Sequence, residues 1–135
     1  MFSKTYTIRF EHCDPAGIVF YPRYFEILND IMEVWLAEEI GVSIGNLIFE
    51  RQIAVPTVYV EAEFPAASYL EDVLTVTLQV TKLGTSSMTL LVEAMCEDEV
   101  RFRIRPIIVF TDIRGAKKKS MPIPEDMRRE IERYL

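Results

Sequence analysis

The segment FEHCDPAGIVFYPRYFE, residues 10–26, brings together three side chains whose types could do chemistry. His12 is the only histidine of the chain, Cys13 is one of two cysteines, and Asp14 follows directly. A cysteine in contact with a histidine can form a nucleophilic pair, and a carboxylate can act as a general base or as a nucleophile. Adjacent residues of an extended segment point to opposite faces, so we expect no contact between His12 and Cys13. Asp14 is therefore the main candidate, and Cys13 is interpreted as a small packed thiol.

The residues Asp14-Pro15-Ala16-Gly17 have the preferences of a type I β-turn, which alone would explain Asp14. The sequence after the turn favours a functional role for Asp14 over a purely structural one. Pro22 suits the first position of a helix, and Tyr21 before it is not a residue that caps a helix with its side chain. Open backbone N–H groups at a helix start can bind an anion or a polarised carbonyl oxygen. A carboxylate beside them is suited to acyl transfer, in which Asp14 either attacks the carbonyl carbon or activates a water.

Two further polar residues have both a structural and a functional interpretation. His12 is a loop or strand-end residue, or else it orients Asp14 or a substrate. Asn29 projects at the edge of the polar stripe of the predicted helix, where it is either a solvated amide or a polar group in a pocket.

Length and composition narrow the function classes. We expect residues 1–135 to form one domain, since a chain of this length buries most of its surface without a metal or disulfide. Two cysteines without CxxC spacing indicate neither a disulfide framework nor a zinc site. A net charge of -6, from 21 acidic and 15 basic residues, argues against nucleic acid as a partner. No apolar run predicts a membrane span, and no signal-like segment follows Met1, so we expect a cytoplasmic protein.

Periodicity predicts an α+β fold that positions these residues. Five segments alternate between apolar and polar residues as strands do, at residues 4–11, 57–64, 74–80, 88–96 and 100–110. Short connections between the last three predict an antiparallel meander. Residues 22–40 predict one long helix that is apolar on most sides, and residues 125–135 a shorter C-terminal helix. The expected arrangement is one curved antiparallel sheet of about five strands wrapped around the long helix.

The segment HCDPAGIVFYPRYF resembles the signature of the 4-hydroxybenzoyl-CoA thioesterase family of hotdog-fold proteins. The similarity is to the branch with a catalytic Asp in the turn before the central helix. It extends through VPTVYVEAEFPAASYLEDVLTV, KLGTSSMTLLVEA and MPIPEDMRREI. The resemblance implies a hotdog fold and an acyl-CoA thioesterase with no metal or redox cofactor, coenzyme A being part of the substrate.

The resemblance also implies roles for individual residues. Asp14 would be the catalytic carboxylate, and the backbone N–H of Tyr21 would polarise the thioester carbonyl. Gly17 would allow close approach of the chain to the substrate. Asn29 falls where the hydroxybenzoyl-specific enzyme has an acidic residue, so the sequence departs from the family there and predicts no particular acyl group.

A second departure concerns the turn before the fourth strand, where that enzyme has basic residues near the CoA phosphates. Here Thr85, Ser86 and Ser87 offer hydroxyl and N–H groups, assisted by Lys82. The lysines at 117–119 either compensate or are simply solvated.

The family resemblance implies a homodimer at least, with sites at the subunit boundary, and leaves a homotetramer open. Three alternatives to the acyl-CoA thioesterase remain. One is a thioesterase for acyl carrier protein, docked through Arg101, Arg103 and Arg105, which alternate onto one strand face; solvent-facing pairing with acidic residues is the other explanation for them. The second is a non-catalytic acyl-CoA-binding module. The third is a hydratase for 2-enoyl thioesters, whose signature has a histidine facing a carboxylate.

Overall fold

The computed structural model of the protein describes residues 1–135 and contains two α-helices and eight strands. In chain order they are β1 (Phe2–Thr7), α1 (Pro22–Trp35), β2 (Ile53–Ala54), β3 (Thr57–Glu63), β4 (Val73–Leu83), β5 (Ser87–Cys96), β6 (Glu99–Val109), β7 (Thr111–Asp112), β8 (Lys119–Ser120) and α2 (Glu125–Glu132). The predicted α+β class is confirmed.

The main sheet is antiparallel and has five strands in the order β1-β4-β5-β6-β3. Strands β4, β5 and β6 form the predicted meander. One row of paired residues crosses the sheet from Phe2 to Leu78, Val92, Ile104 and Ala62. The first four are buried, and Ala62 on the edge strand is exposed. The core therefore stops before β3.

Helix α1 packs its apolar side on the sheet, which confirms the predicted central helix. Its buried residues are Tyr24, Ile27, Leu28, Ile31, Met32 and Trp35. The helix continues through a π-helical turn at Leu36–Ile40 and ends at Gly41, whose φ of 86° is accessible to glycine. The C-terminal helix is shorter than predicted and ends at Glu132. Neither helix is both long and apolar enough to cross a membrane.

Two parts of the fold were not predicted. The two-residue strands β2, β7 and β8 form a second, three-stranded sheet, and residues Asn46–Arg51 form a π-helical turn. Strands this short show no alternation, so periodicity could not reveal them.

The strand predicted at residues 4–11 is wrong at its C-terminal end. Strand β1 stops at Thr7, and a 3-10 turn follows at Phe10–His12. Phe10, which alternation placed on the buried side, is 83% exposed. Ile8 still exchanges two backbone hydrogen bonds with residues 71 and 72, and the chain then turns as the His12 and Cys13 N–H groups donate to Arg9 O and Phe10 O.

The strand predicted at residues 57–64 has the right position and the wrong environment. Neither face of β3 is buried, and Val58 and Val60 are 59% and 41% exposed. Strand β3 pairs with β6 on one side only, so its other edge has no strand partner within the chain. The open edge of β3 therefore exposes apolar side chains as well as unpaired backbone groups.

Candidate active site

The segment from Cys13 to Val19 folds into a tight hairpin that carries Asp14. The Asp14 N–H donates to Ile18 O at 3.0 Å, and the Gly17 N–H donates to Asp14 O at 3.0 Å. The second bond closes the predicted β-turn. Gly17 has a φ of 79°, and a Cβ built on it would meet nothing within 4 Å in the chain. Within one chain, glycine is therefore needed at this position for its backbone conformation.

The carboxylate of Asp14 is half-buried and has little to neutralise it. Its Oδ1 accepts the Ala16 N–H at 2.8 Å, as an Asp in a turn commonly does. Asp14 makes no ion pair, and its Oδ2 accepts no hydrogen bond within the chain. One oxygen is thus oriented by the turn, and the other is free to act on a substrate or a water.

The start of α1 leaves one backbone donor open. The N–H groups of Arg23 and Tyr24 donate to Phe20 O and Tyr21 O, at 2.9 and 3.1 Å. Pro22 has no N–H, and no side chain caps the helix. The Tyr21 N–H has no acceptor within the chain. The expectation of several open N–H groups is therefore wrong, because a tight turn precedes the helix and satisfies all but Tyr21.

His12 belongs to the same hairpin but does not pair with Asp14. Its Nδ1 accepts the Arg9 N–H at 2.8 Å, and its backbone oxygen accepts the Phe20 N–H at 2.9 Å. The second bond ties the two arms of the hairpin together just before Tyr21, and the first stays within the segment that leads into it. Cys13 packs against the core with its Sγ 3.5 Å from Arg9 O, so the interpretation as a packed thiol is confirmed.

A segment that sequence reasoning did not single out, residues 68–72, supports the hairpin. The Val19 N–H donates to Ser68 O at 2.9 Å, and the Leu70 N–H donates to Gly17 O at 3.2 Å. The Ser68 hydroxyl, which is fully buried, accepts the Tyr24 hydroxyl at 2.8 Å. These residues lie in the quoted PAASYLED segment, where Ser looks like an ordinary connecting residue.

An ion pair fixes the end of the 68–72 segment. The Asp72 Oδ2 accepts the Arg101 Nη1 at 2.7 Å and the Tyr69 N–H at 2.9 Å. Burial alone would raise the pKa of Asp72, but these hydrogen bonds and the nearby guanidinium outweigh burial and hold it below its ordinary value. Arg101 is thus paired with acidic residues, as one of its two explanations expected, but it is only 8% exposed and does not face solvent.

The other two strand arginines are paired as expected. Arg103 donates to Glu93 at 2.6 Å, and Arg105 donates to Glu63 at 2.8 Å. No free basic stripe remains on this face for an acidic carrier protein.

Aromatic rings surround the start of α1. The Phe64 ring, at the end of β3, lies 5.9 Å from the Tyr21 ring, 5.6 Å from Tyr24 and 6.3 Å from Phe25. The side chains of Tyr21 and Phe64 are partly exposed. The open Tyr21 N–H therefore lies beside an apolar, aromatic surface.

Asn29 lies two turns further along α1, about 12 Å from Tyr21 at 1.5 Å per residue. It is exposed and lines a groove of about 230 Å³ with Glu33, Ile44 and Thr57 among others. Its amide makes no hydrogen bond within the chain. Within one chain, Asn29 is thus about two helical turns from the open N–H of Tyr21.

The predicted CoA-binding residues lie still further away. Lys82, Thr85, Ser86 and Ser87 are at the end of β4 opposite the 68–72 segment, roughly 30 Å of strand from it at about 3.3 Å per residue. The N–H groups of Thr85 and Ser86 have no acceptor within the chain. The lysines at 117–119 are exposed.

Arg128 of helix α2 is a basic residue at this turn that the sequence did not reveal. It donates to the backbone oxygens of Gly84 and Thr85. Nowhere do three or more His, Cys, Asp or Glu side chains come together in a way that could hold a metal ion.

Comparison with known proteins matches this fold and hairpin to one family. Residues 8–131 fit the family model of the thioesterase-like superfamily. The chain belongs to this superfamily. The superfamily match covers the Asp14 hairpin, α1 and the whole five-stranded sheet except the first strand.

Named relatives of this superfamily member act on CoA thioesters. A 1,4-dihydroxy-2-naphthoyl-CoA hydrolase from Synechocystis sp. is 24% identical over 118 residues, which are 87% of this chain and 85% of the relative. The solved 4-hydroxybenzoyl CoA thioesterase from Pseudomonas sp. strain CBS-3 is 25% identical, with a TM-score of 0.83 over 95% of this chain and 96% of that one. A solved gentisyl-coenzyme A thioesterase is 23% identical, with a TM-score of 0.83 over 96% and 98%. The predicted hotdog fold is confirmed, and the predicted thioesterase is confirmed at the level of the superfamily.

Proposed function

We propose that this protein is an acyl-CoA thioesterase of the 4-hydroxybenzoyl-CoA thioesterase type, with Asp14 as its catalytic carboxylate. The observation that carries the proposal is the open Tyr21 N–H, which follows the second arm of the hairpin that holds Asp14. An unpaired N–H at the positive end of a helix stabilises the negative charge that develops on a thioester oxygen. Gly17 shapes the turn, and His12 ties its arms together.

Two routes fit this geometry. In one, the free Asp14 oxygen takes a proton from a water, whose oxygen attacks the carbonyl carbon. In the other, Asp14 attacks that carbon itself and forms an anhydride, which a water then hydrolyses. In both routes the carbon–sulfur bond breaks, the sulfur of coenzyme A leaves and takes up a proton, and the products are the free acid and CoA.

An aromatic acyl group is the substrate class that the site favours. The named relatives act on dihydroxynaphthoyl, gentisyl and hydroxybenzoyl thioesters. The rings of Tyr21, Phe25 and Phe64 beside the open N–H provide a surface on which an aromatic ring can stack.

We place the complete site between two copies of the chain. A twofold pairing of β3 with β3 of a second copy is antiparallel, so the Thr57 end of one strand meets the Glu63 end of the other. Thr57 pairs with Ile108, which also pairs with Met88, next to the turn of Thr85 and Ser86.

This pairing brings separated residues of two copies to one end of the joined sheet. The Asp14 hairpin lies at the Glu63 end, because Phe64 contacts Tyr21 there. The turn with Lys82, Thr85, Ser86 and Ser87 of the second copy then lies at the same end, where it can meet the CoA phosphates. Asn29 of the second copy lies at its Thr57 groove, at that end as well.

The alternatives have less support in the structure. A carrier-protein thioesterase would need free arginines on β6 to bind the acidic carrier, but Arg103 and Arg105 are paired with glutamates. A hydratase needs a histidine facing the carboxylate, whereas the His12 Nδ1 accepts a hydrogen bond from the Arg9 N–H. A non-catalytic binding module does not account for the free oxygen of Asp14 beside the open N–H of Tyr21.

The test is turnover of a panel of acyl-CoA thioesters by the purified protein, with aromatic and straight-chain acyl groups. We expect hydrolysis of aromatic thioesters and a loss of at least ~10²-fold in kcat for Asp14→Asn, the usual contribution of a general acid–base group. Asp98→Asn is the control, because Asp98 is exposed, makes no ion pair and has a φ of 69° that asparagine tolerates. No turnover of any thioester, or unchanged turnover by Asp14→Asn, would reject the proposal. Tight binding in calorimetry without turnover would instead support the binding module.

A further inference from the structure

Ser68 contacts both halves of the proposed site from one buried position. Its backbone oxygen accepts the Val19 N–H, on the hairpin arm that leads to Tyr21, at 2.9 Å. Its hydroxyl accepts the Tyr24 hydroxyl, in the first turn of α1, at 2.8 Å. Ser68 has no exposed surface, so water does not compete for either bond. Ser68 therefore links the hairpin directly to the first turn of α1.

The segment that carries Ser68 is itself held in place. Asp72 accepts both the Tyr69 N–H and the Arg101 guanidinium, and Arg101 projects from β6, which lies between β5 and β3 in the main sheet. Glu71 has a φ of 75°, which is uncommon for a residue with a side chain and shows that the segment is held in a specific conformation. Ser68 therefore lies in a segment that is anchored to the sheet and is not part of a free loop.

The Tyr24 ring is fixed independently of its hydroxyl. It stacks on Phe64 with ring centres 5.6 Å apart and tilts against Phe102 at 5.0 Å. Removal of the hydroxyl alone therefore leaves the ring packed and breaks only the link to Ser68.

We infer that Tyr24 and Ser68 are positioning residues, whose hydrogen bond sets the Asp14 carboxylate against the open Tyr21 N–H. This inference rests on the proposed thioesterase function. Neither residue touches the reacting atoms, and both act through the hairpin and the helix start. Geometry matters here because a displacement of about 1 Å in a catalytic arrangement can cost about 10²-fold in rate.

The first experiment compares Tyr24→Phe with Tyr6→Phe. Tyr6 also donates its hydroxyl to a residue of α1, Asp30, at 2.6 Å, but on the side of the helix that faces β1. We expect Tyr24→Phe to lower kcat about tenfold with KM changed less than about twofold, and Tyr6→Phe to leave both unchanged. Wild-type kcat in Tyr24→Phe, or an equal loss in Tyr6→Phe, would overturn the inference.

The second experiment separates positioning from stability. Tyr24→Phe leaves the buried Ser68 hydroxyl without a partner, whereas the double variant Tyr24→Phe/Ser68→Ala removes both groups and largely restores stability. We expect the double variant to keep the tenfold loss of kcat while its Tm returns towards that of the wild type. A kcat that recovers together with Tm would show a purely structural role.

The third experiment adds Tyr24→Phe to the Asp14→Asn variant. If Tyr24 acts by positioning Asp14, the second substitution lowers the residual kcat less than about twofold. A further tenfold loss would show an effect that does not pass through Asp14 and would overturn the inference. Asp14→Asn alone reports on the proposed function, so a failure of that function is recognised separately from a failure of the positioning role.

Discussion

Gly17 allows a sharp test of how the hairpin presents Asp14. Its φ of 79° lies in the left-handed region, and a Cβ at this position would meet nothing within 4 Å. A residue with a side chain is therefore disfavoured at position 17 by its backbone conformation and not by a steric clash. The cost in conformational free energy is about 1–2 kcal/mol. We expect Gly17→Ala to lower the free energy of unfolding by about this amount. Gly17→Asn should lower it less, because asparagine adopts this conformation more readily.

Urea denaturation measures the difference. With a slope of about 2 kcal/mol per M, Gly17→Ala should lower the midpoint by roughly 0.5–1 M. Gly45→Ala is the matched control, because Gly45 has a helical φ of -60° and its added Cβ would make an ordinary contact with Ser43 at 3.9 Å. Equal shifts for Gly17→Ala and Gly17→Asn, or a comparable loss in Gly45→Ala, would refute the backbone explanation.

Two further predictions concern charge and assembly. The pKa of Asp72 is lowered in the folded protein, so its pair with Arg101 stabilises the fold above a pH of about 4 and is lost as the pH falls through the folded pKa. In urea denaturation from pH 6 to pH 2, Asp72→Asn should be less stable than the wild type at pH 6, with a gap that closes in acid; a constant gap would contradict this. In sedimentation equilibrium the wild type should be at least a dimer, and Val60→Lys should weaken the association more than tenfold, whereas Phe49→Lys, at another exposed apolar residue, should not. A Val60→Lys protein that sediments with the oligomeric mass of the wild type would exclude β3 as the interface.

Local sequence pattern was sufficient for the main elements. The alternation of Leu74, Val76, Leu78 and Val80 predicts β4 because side chains of a strand point to opposite faces, and all four are buried. The polar stripe on an otherwise apolar segment predicts the central helix for the same kind of reason. The Asp-Pro-x-Gly order predicts the turn, since proline and glycine restrict the backbone at fixed positions.

Alternation was less informative where the environment of a strand is set by distant parts of the chain. Strand β3 alternates like a half-buried strand, yet both of its faces are exposed. Phe10 continues the alternation of β1, but the chain has already turned away from the sheet. A local pattern shows which face would be buried and does not show what covers it.

For the site, the sequence by itself determined the turn that carries Asp14 and the helix that begins after Tyr21. Only the tertiary structure decided that Tyr21 has the one open N–H, and that Ser68 and Arg101 support the hairpin. The physical reason is separation along the chain. The hydroxyl bond from Tyr24 spans 44 residues and the ion pair of Arg101 spans 29, so neither is specified by the spacing of neighbouring residues.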